Sequence, residues 1–153
     1  MEQGLLHLHN FLRWLVLLFA LLVIIRSLGG MGGGKTFAAG DKRMALFLLI
    51  SCDIQLLLGL ALYFMKNWVT VLTSGGVMAS KYNRFFAVEH LAGMLIAIIL
   101  VHIGYSNIKK DIPDSSKFKM LFWYTLIALV IICITIPWPF REIVGRPLFP
   151  GMH

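Results

Sequence analysis

Four long apolar runs, separated by short polar segments, dominate the pattern of hydrophobic and polar positions along the chain. Each run has roughly 20 residues, and a helix of that length crosses the ~30 Å of hydrocarbon in a bilayer at about 1.5 Å per residue. The apolar residues occur on every side of these helices, as in segments that lipid surrounds. The pattern therefore predicts an all-α, integral membrane four-helix bundle with helices at approximately residues 5–28, 44–65, 84–105 and 118–138.

The composition agrees with a single membrane domain. Of the 153 residues, 59% are hydrophobic and only 14% are charged, whereas a soluble domain is about 45–50% apolar. The four predicted helices leave no room for a large soluble domain, so we expect residues 1–153 to form one transmembrane unit. The first segment lacks the cationic start and the small-residue cleavage motif of a signal peptide, so we interpret it as a retained helix.

Lysine and arginine side chains between the apolar runs predict the orientation in the membrane. Residues 26–43 contain four of the 14 cations, and residues 109–119 contain four more. Cytoplasmic loops are enriched in these residues, so we expect the first and third loops in the cytoplasm and both termini on the outer side. The net charge is +7, but the cations lie in short clusters beside apolar segments. This indicates a lipid bilayer, and not nucleic acid, as the partner.

Polar side chains interrupt two of the predicted helices near the same membrane surface. The first helix begins with HLHNFLRW (residues 7–14), and the third contains Glu89 and His90 about six residues after its start. If both helices enter from the outer side, His9 and His90 reach similar depths, and Arg13 lies one turn below His9 on the same face. Such groups are costly in hydrocarbon unless they face protein, water or a cofactor. We expect one polar cluster in the outer half of the bundle: His9, Arg13, Glu89, His90 and Arg141, with Asp53 and Gln55 deeper.

Two histidines on facing helices are typical axial ligands of a haem b in a helical bundle, so His9 and His90 are the predicted metal ligands. The alternative for His9 is an interfacial residue with its polar tip in water. Gly93 and Ala97 either allow close helix packing or leave room for a flat ring. His102 follows His90 by 12 residues, which rotates it by about 120°, so we expect it to reach toward the cytoplasmic surface and to bind no second haem. The chain has no C-x-x-C-H motif for covalent haem attachment.

Charged residues would complete the predicted haem site. Arg13 and Arg141 are expected to pair with the haem carboxylates. Glu89 or Asp53 would hold a ligand histidine by its second ring nitrogen. The alternative for Glu89 is an ion pair with Arg13 or Arg84.

Several stretches resemble one group of proteins over nearly the whole chain. These are HLHNFLRWLVLL, DIQLLLGLALYF, FFAVEHLAGMLIAI and the C-terminal IPWPF with GRPLFPGM. They resemble small bacterial four-helix membrane proteins labelled cytochrome b-like, whose layout is similar to that of cytochrome b561. The resemblance implies a multi-pass protein of the bacterial inner (cytoplasmic) membrane, with periplasmic termini and a b-type haem. The chain departs from that group at Asp53, where a histidine often stands. If that position is a ligand in the group, this chain either uses His9 with His90 or binds no haem.

The leading functional hypothesis is a b-type electron carrier that takes electrons from a membrane quinol and passes them to an acceptor on the outer side. As such a carrier it would act as a quinol-linked redox subunit. No hydrolytic or transferase motif stands out in the sequence. The alternative is a non-redox accessory subunit in which the polar cluster is a buried ion-pair network that fixes helix register. In either case we expect other membrane subunits or a second copy as partners. Proton or ion conduction ranks last, because one cluster in the outer half offers no continuous polar path.

Overall fold

The computed structural model describes residues 2–149, and within that range it contains helices and no strand. The elements, in order, are α1 (Glu2–Met31), α2 (Ala39–Met65), α3 (Trp68–Thr73), α4 (Lys81–Arg84), a π-helical turn (Phe85–Glu89), α5 (His90–Asn107) and α6 (Asp114–Thr135). The helices α4 and α5 run on through the π-helical turn as one long helix. This helix, α1, α2 and α6 are each long and apolar enough to cross a membrane. The prediction of an all-helical chain with four such helices is therefore confirmed, and this is the layout of a multi-pass membrane protein.

The helix ends differ from the predicted ones by up to five residues, and local chemistry explains two of the differences. The second helix begins at Ala39 and not at residue 44. Its polar first turn is stabilised because Asp41 accepts the N–H of Ala38 at 3.0 Å and binds Nε of Arg26 at 2.9 Å. The fourth long helix ends at Thr135 and not at residue 138, because the next residue is extended where it precedes Pro137.

The four long helices form a ring. The helix α1 packs against α2 and α6, and α6 packs against α5, while the contact between α2 and α5 that closes the ring is thinner. The close approach of α1 to α6 requires Gly30, because a side chain there would overlap the ring of Phe118. Large apolar side chains such as Leu57 and Ile134, 68% and 66% exposed, cover the outside of the ring. An apolar exterior of this extent is typical of a surface that faces lipid.

The segment after α6 turns back over the end of the ring at which α1 begins. It does not continue the helix, as its prolines predict. The backbone N–H of Arg146 donates to the carbonyl of Pro137 at 2.9 Å, which reverses the chain direction. The segment then reaches α1, where the carbonyl of Leu148 accepts hydrogen bonds from Arg13 and Trp14 at 2.8 and 3.1 Å. The tail therefore lies beside the predicted polar cluster.

Candidate functional site

The rings of His9 and His90 meet inside the bundle, with their centroids 6.4 Å apart and their planes at 69°. The helix α1 supplies His9, and His90 follows the π-helical turn directly. The expectation that these two histidines reach the same level is therefore confirmed. Phe85 lies beside His90, with ring centroids 5.9 Å apart. Both histidines are partly buried among apolar side chains.

The prolines of the IPWPF sequence explain how His90 is held. A helix carbonyl normally accepts the N–H four residues later, but position 139, four residues after Thr135, is a proline without an N–H. The free carbonyl of Thr135 lies 2.8 Å from Nδ1 of His90. A carbonyl only accepts, so Nδ1 must carry the proton and Nε2 keeps its lone pair. No hydrogen bond within residues 2–149 reaches Nε2. This is the tautomer found in histidines that bind a metal through Nε2.

The second histidine, His9, is held against α2. Gln55 donates from Nε2 to the backbone carbonyl of His9 at 2.9 Å. Gly59 leaves the space that the ring occupies, because a Cβ at that position would lie 3.2 Å from Cε1 of His9. Within the described part of the chain, Nδ1 of His9 and Oε1 of Gln55 are buried and make no hydrogen bond. Such unpaired buried groups are uncommon in folded proteins and cost about 1–3 kcal/mol each.

Arg13 is buried, with 6% of its surface exposed, but it does not pair with Glu89 as one of the predictions had it. Its guanidinium binds the carbonyl of Leu148 and lies over the rings of Trp14 and Trp138, 5.4 and 5.9 Å from their centroids. Glu89 is exposed and pairs with Arg84 at 2.7 Å, which was the alternative expectation. The π-helical turn adds a residue before His90, and this rotation directs Glu89 away from the bundle interior while His90 points into it.

Both histidines line a cavity of about 140 Å³. Most of its wall is apolar, from leucine, isoleucine and methionine side chains of the four long helices, and Arg13 also lines it. Two further cations, Lys66 and Arg146, line it as well, and neither was predicted. Lys66 forms an ion pair with Glu2 at 2.8 Å, and Arg146 lies over the ring of Phe86, 5.1 Å from its centroid.

Arg141 lies outside the lining of this cavity. Its guanidinium donates to the carbonyl of Ile134 at 3.0 Å and lies 4.6 Å from the ring centroid of Phe85. Arg141 thus provides a hydrogen-bond donor for one of the carbonyls left free at the end of α6. A cation is favourable at this position because the C-terminal end of a helix carries partial negative charge. The structure brings together His9, His90 and Arg13 of the predicted set. It places the half-buried Arg141 and the exposed Glu89 outside the cavity.

The deeper polar residues separate into two places. Gln55 belongs to the histidine site, as described above. Asp53 instead pairs with His102, whose Nε2 lies 2.8 Å from its Oδ1, on the outside of the bundle. Neither Asp53 nor Glu89 therefore holds a ring nitrogen of His9 or His90, and the Thr135 carbonyl takes that role for His90. Gly93 faces Thr135 closely and Ala97 is fully buried, which fits the close-packing alternative for these small residues.

The site contains a pair of histidines and no larger ligand set. Among residues 2–149, no three His, Cys, Asp or Glu side chains come close enough to share a metal ion. Comparisons of the chain with protein-family models, with curated protein sequences and with solved structures find no match.

Proposed function

We propose that the protein is a membrane electron carrier of the cytochrome b type, with one haem b held between His9 and His90. The observation that carries the proposal is the spacing of the two rings. A bond from an imidazole nitrogen to a metal is about 2 Å long, so two rings on one iron have centroids roughly 6 to 6.5 Å apart. The centroids of His9 and His90 lie 6.4 Å apart.

The surroundings of the histidines also suit a haem. His90 has the tautomer that an Nε2 ligand needs, because Thr135 holds the proton on Nδ1. Gly59 leaves His9 room beside α2. The cavity is partly open, and its 140 Å³ compares with an engineered cavity of roughly 150 Å³ that binds benzene. A porphyrin is larger than benzene, so its periphery would extend beyond this cavity through the open side.

Each residue of the site has a role in this proposal. A haem supplies one-electron redox chemistry when it is bound. His9 and His90 would bind the iron from α1 and α5, and Gln55 would fix the backbone of α1 beside it. The apolar wall of the cavity would exclude water from the porphyrin ring and so influence the reduction potential of the haem. Arg13, Lys66 and Arg146 line the cavity, and we assign to them the pairing with the haem carboxylates that the sequence had suggested for Arg13 and Arg141.

The membrane setting of the proposal follows the sequence. We propose the bacterial inner membrane, with the histidine site toward the periplasm, on the strength of the lysine and arginine distribution and of the resemblance to cytochrome b-like proteins. A membrane quinol would be the electron donor, and the acceptor would lie on the outer side.

Absorption spectroscopy of purified variants tests the proposal. The wild-type protein, expressed with ample haem, should show a Soret band and sharp α and β bands after reduction, as low-spin bis-histidine haem does. His90→Ala should abolish these bands, and His9→Ala should abolish them or leave a high-spin haem. The matched control is His7→Ala, because His7 is exposed and lies two residues from His9. Unchanged spectra in both site variants would reject these ligands.

The accessory-subunit function remains the second candidate, and one observation favours it. The polar groups of the site already tie separate elements together, since Gln55 joins α2 to α1, His90 joins α5 to α6, and Arg13 joins α1 to the tail. Such a network can fix helix register without a cofactor. A haem-free wild-type protein that copurifies with other membrane subunits, and loses them when Arg13 is replaced, would favour this function.

A further inference from the structure

Asp53 of α2 and His102 of α5 form a polar pair on the outside of the ring, apart from the histidine cavity. Nε2 of His102 lies 2.8 Å from Oδ1 of Asp53, and the two side chains are 46% and 42% exposed. The pair bridges the thinner contact between α2 and α5. Asp53 lies near the middle of α2, with 14 residues before it and 12 after it in the helix. It is therefore far from both ends of a helix long enough to cross a membrane.

The surface around the pair is apolar. Ile54 and Leu57 on α2 and Ile99 on α5 are large, exposed hydrophobic side chains. An ionisable pair in such a setting is expensive in hydrocarbon and marks a functional site by default. Within residues 2–149, Oδ2 of Asp53 and Nδ1 of His102 take part in no hydrogen bond. The pair therefore keeps two acceptor atoms on side chains that are nearly half exposed, and these atoms suit a donor that arrives through the membrane.

We propose that the Asp53–His102 pair binds the head group of a membrane hydroquinone and accepts its protons. A hydroquinone has the matching chemistry, because it carries two O–H donors on a ring attached to an apolar tail that remains in lipid. The proposal rests on the function proposed above, since a haem would be the electron acceptor. The pair lies next to that site: Cys52, the neighbour of Asp53, and Ile98, one turn before His102, both line the histidine cavity.

The protons and electrons balance in this arrangement. A hydroquinone loses two electrons and two protons as it becomes a quinone. The O–H bonds break, one proton goes to Nδ1 of His102, and the other goes to the carboxylate of Asp53. The two electrons leave one at a time. A haem held by His9 and His90 would accept each electron singly and would pass it to a one-electron acceptor on the outer side.

Binding of a quinol analogue tests the site without relying on turnover. The probe is 2-heptyl-4-hydroxyquinoline N-oxide, whose fluorescence is quenched on binding, with the full-length protein in lipid nanodiscs. Asp53→Leu and His102→Leu should each weaken binding at least about tenfold, as loss of a hydrogen bond to a charged group does. Leucine suits both positions because they face lipid, and a thermal melt checks that the variants fold. Ser51→Ala is the matched control, since Ser51 lies on the same helix and its hydroxyl binds the carbonyl of Phe47; it should bind like the wild type.

A second measurement separates this site from the haem. Reduction by duroquinol should slow at least about tenfold in Asp53→Leu and His102→Leu, while the reduced spectrum obtained with dithionite stays unchanged. His90→Ala should lose the haem bands and keep analogue binding.

If the wild type has no haem bands but binds the analogue through Asp53 and His102, the function proposed above fails and the hydroquinone site stands. Wild-type affinity in both leucine variants, or no binding by the wild type, overturns the site. A change from dimer to monomer in these variants without loss of binding also overturns it, and assigns the pair to a contact between copies.

Discussion

Replacing Gly59 with alanine tests the packing that holds His9, and the structure gives the size of the effect. The new Cβ would lie 3.2 Å from Cε1 of His9, whereas carbon atoms rest at about 3.5–4.0 Å from each other. The His9 ring must therefore move by about 0.3–0.8 Å. Overpacking of this kind costs about 1–3 kcal/mol, and a glycine-to-alanine change inside a helix otherwise gains about 0.8–1.0 kcal/mol. We therefore expect Gly59→Ala to lower the free energy of unfolding by an amount between zero and about 2 kcal/mol.

The matched control for this variant is Gly29→Ala in α1. A Cβ at Gly29 would meet nothing within 4 Å, so this change should stabilise the protein by up to about 1 kcal/mol. Denaturant unfolding in detergent, followed by circular dichroism, measures both variants, and a haem titration of Gly59→Ala should also show weaker binding because the His9 ring has moved. A gain in Gly59→Ala equal to that of Gly29→Ala, with haem binding unchanged, would refute the placement of His9 against α2.

Three further predictions concern the ion pairs and the orientation. Since Arg13 binds the tail and Glu89 binds Arg84, the unfolding free energies of Arg13→Leu and Glu89→Leu should add in the double variant to within about 0.5 kcal/mol; a coupling above 1 kcal/mol in a double-mutant cycle would restore the ion pair that the sequence suggested. Asp41→Ala should lower the free energy of unfolding by about 1–3 kcal/mol in the same denaturation assay, because it removes the cap of α2 and leaves the Arg26 guanidinium without its partner. For the orientation, Gly32→Cys and Ser74→Cys, in a background without the two native cysteines, should react oppositely with an impermeant thiol reagent, and labelling of only Gly32→Cys from outside would invert the predicted topology.

The four helices could be predicted because lipid imposes a simple requirement. A segment that crosses the hydrocarbon needs about 20 apolar residues, and four such runs stand out in the sequence. The meeting of His9 and His90 could also be predicted, since both lie a short distance inside helices that begin at the same end of the bundle. Their depth depends only on the rise per residue, which hardly varies between helices.

The direction of individual side chains was harder to predict. Glu89 and His90 are neighbours, and which of them points inward depends on the π-helical turn at Phe85–Glu89. A regular 3.6-residue period contains no sign of that extra residue. The prolines of IPWPF did hold a usable signal, because a proline four residues after Thr135 leaves a carbonyl that the side chain of His90 can bind.

The cations around the cavity depend on the tail, and the tail depends on contacts remote in sequence. Arg141 and Arg146 both follow the last helix, so the sequence alone did not distinguish them. The hydrogen bond from Arg146 to the carbonyl of Pro137 reverses the chain, and this brings Arg146 to the cavity while Arg141 stays at the helix end. Lys66 reaches the cavity from the end of α2, and no sequence pattern marks it.

The haem content of the purified wild-type protein, measured as the pyridine haemochrome against protein concentration, tests the central claim most directly. One site between His9 and His90 predicts close to one b-type haem per chain, released without covalent attachment because no C-x-x-C-H motif is present. A protein expressed with ample haem that contains none would contradict the account, and so would a content close to two per chain.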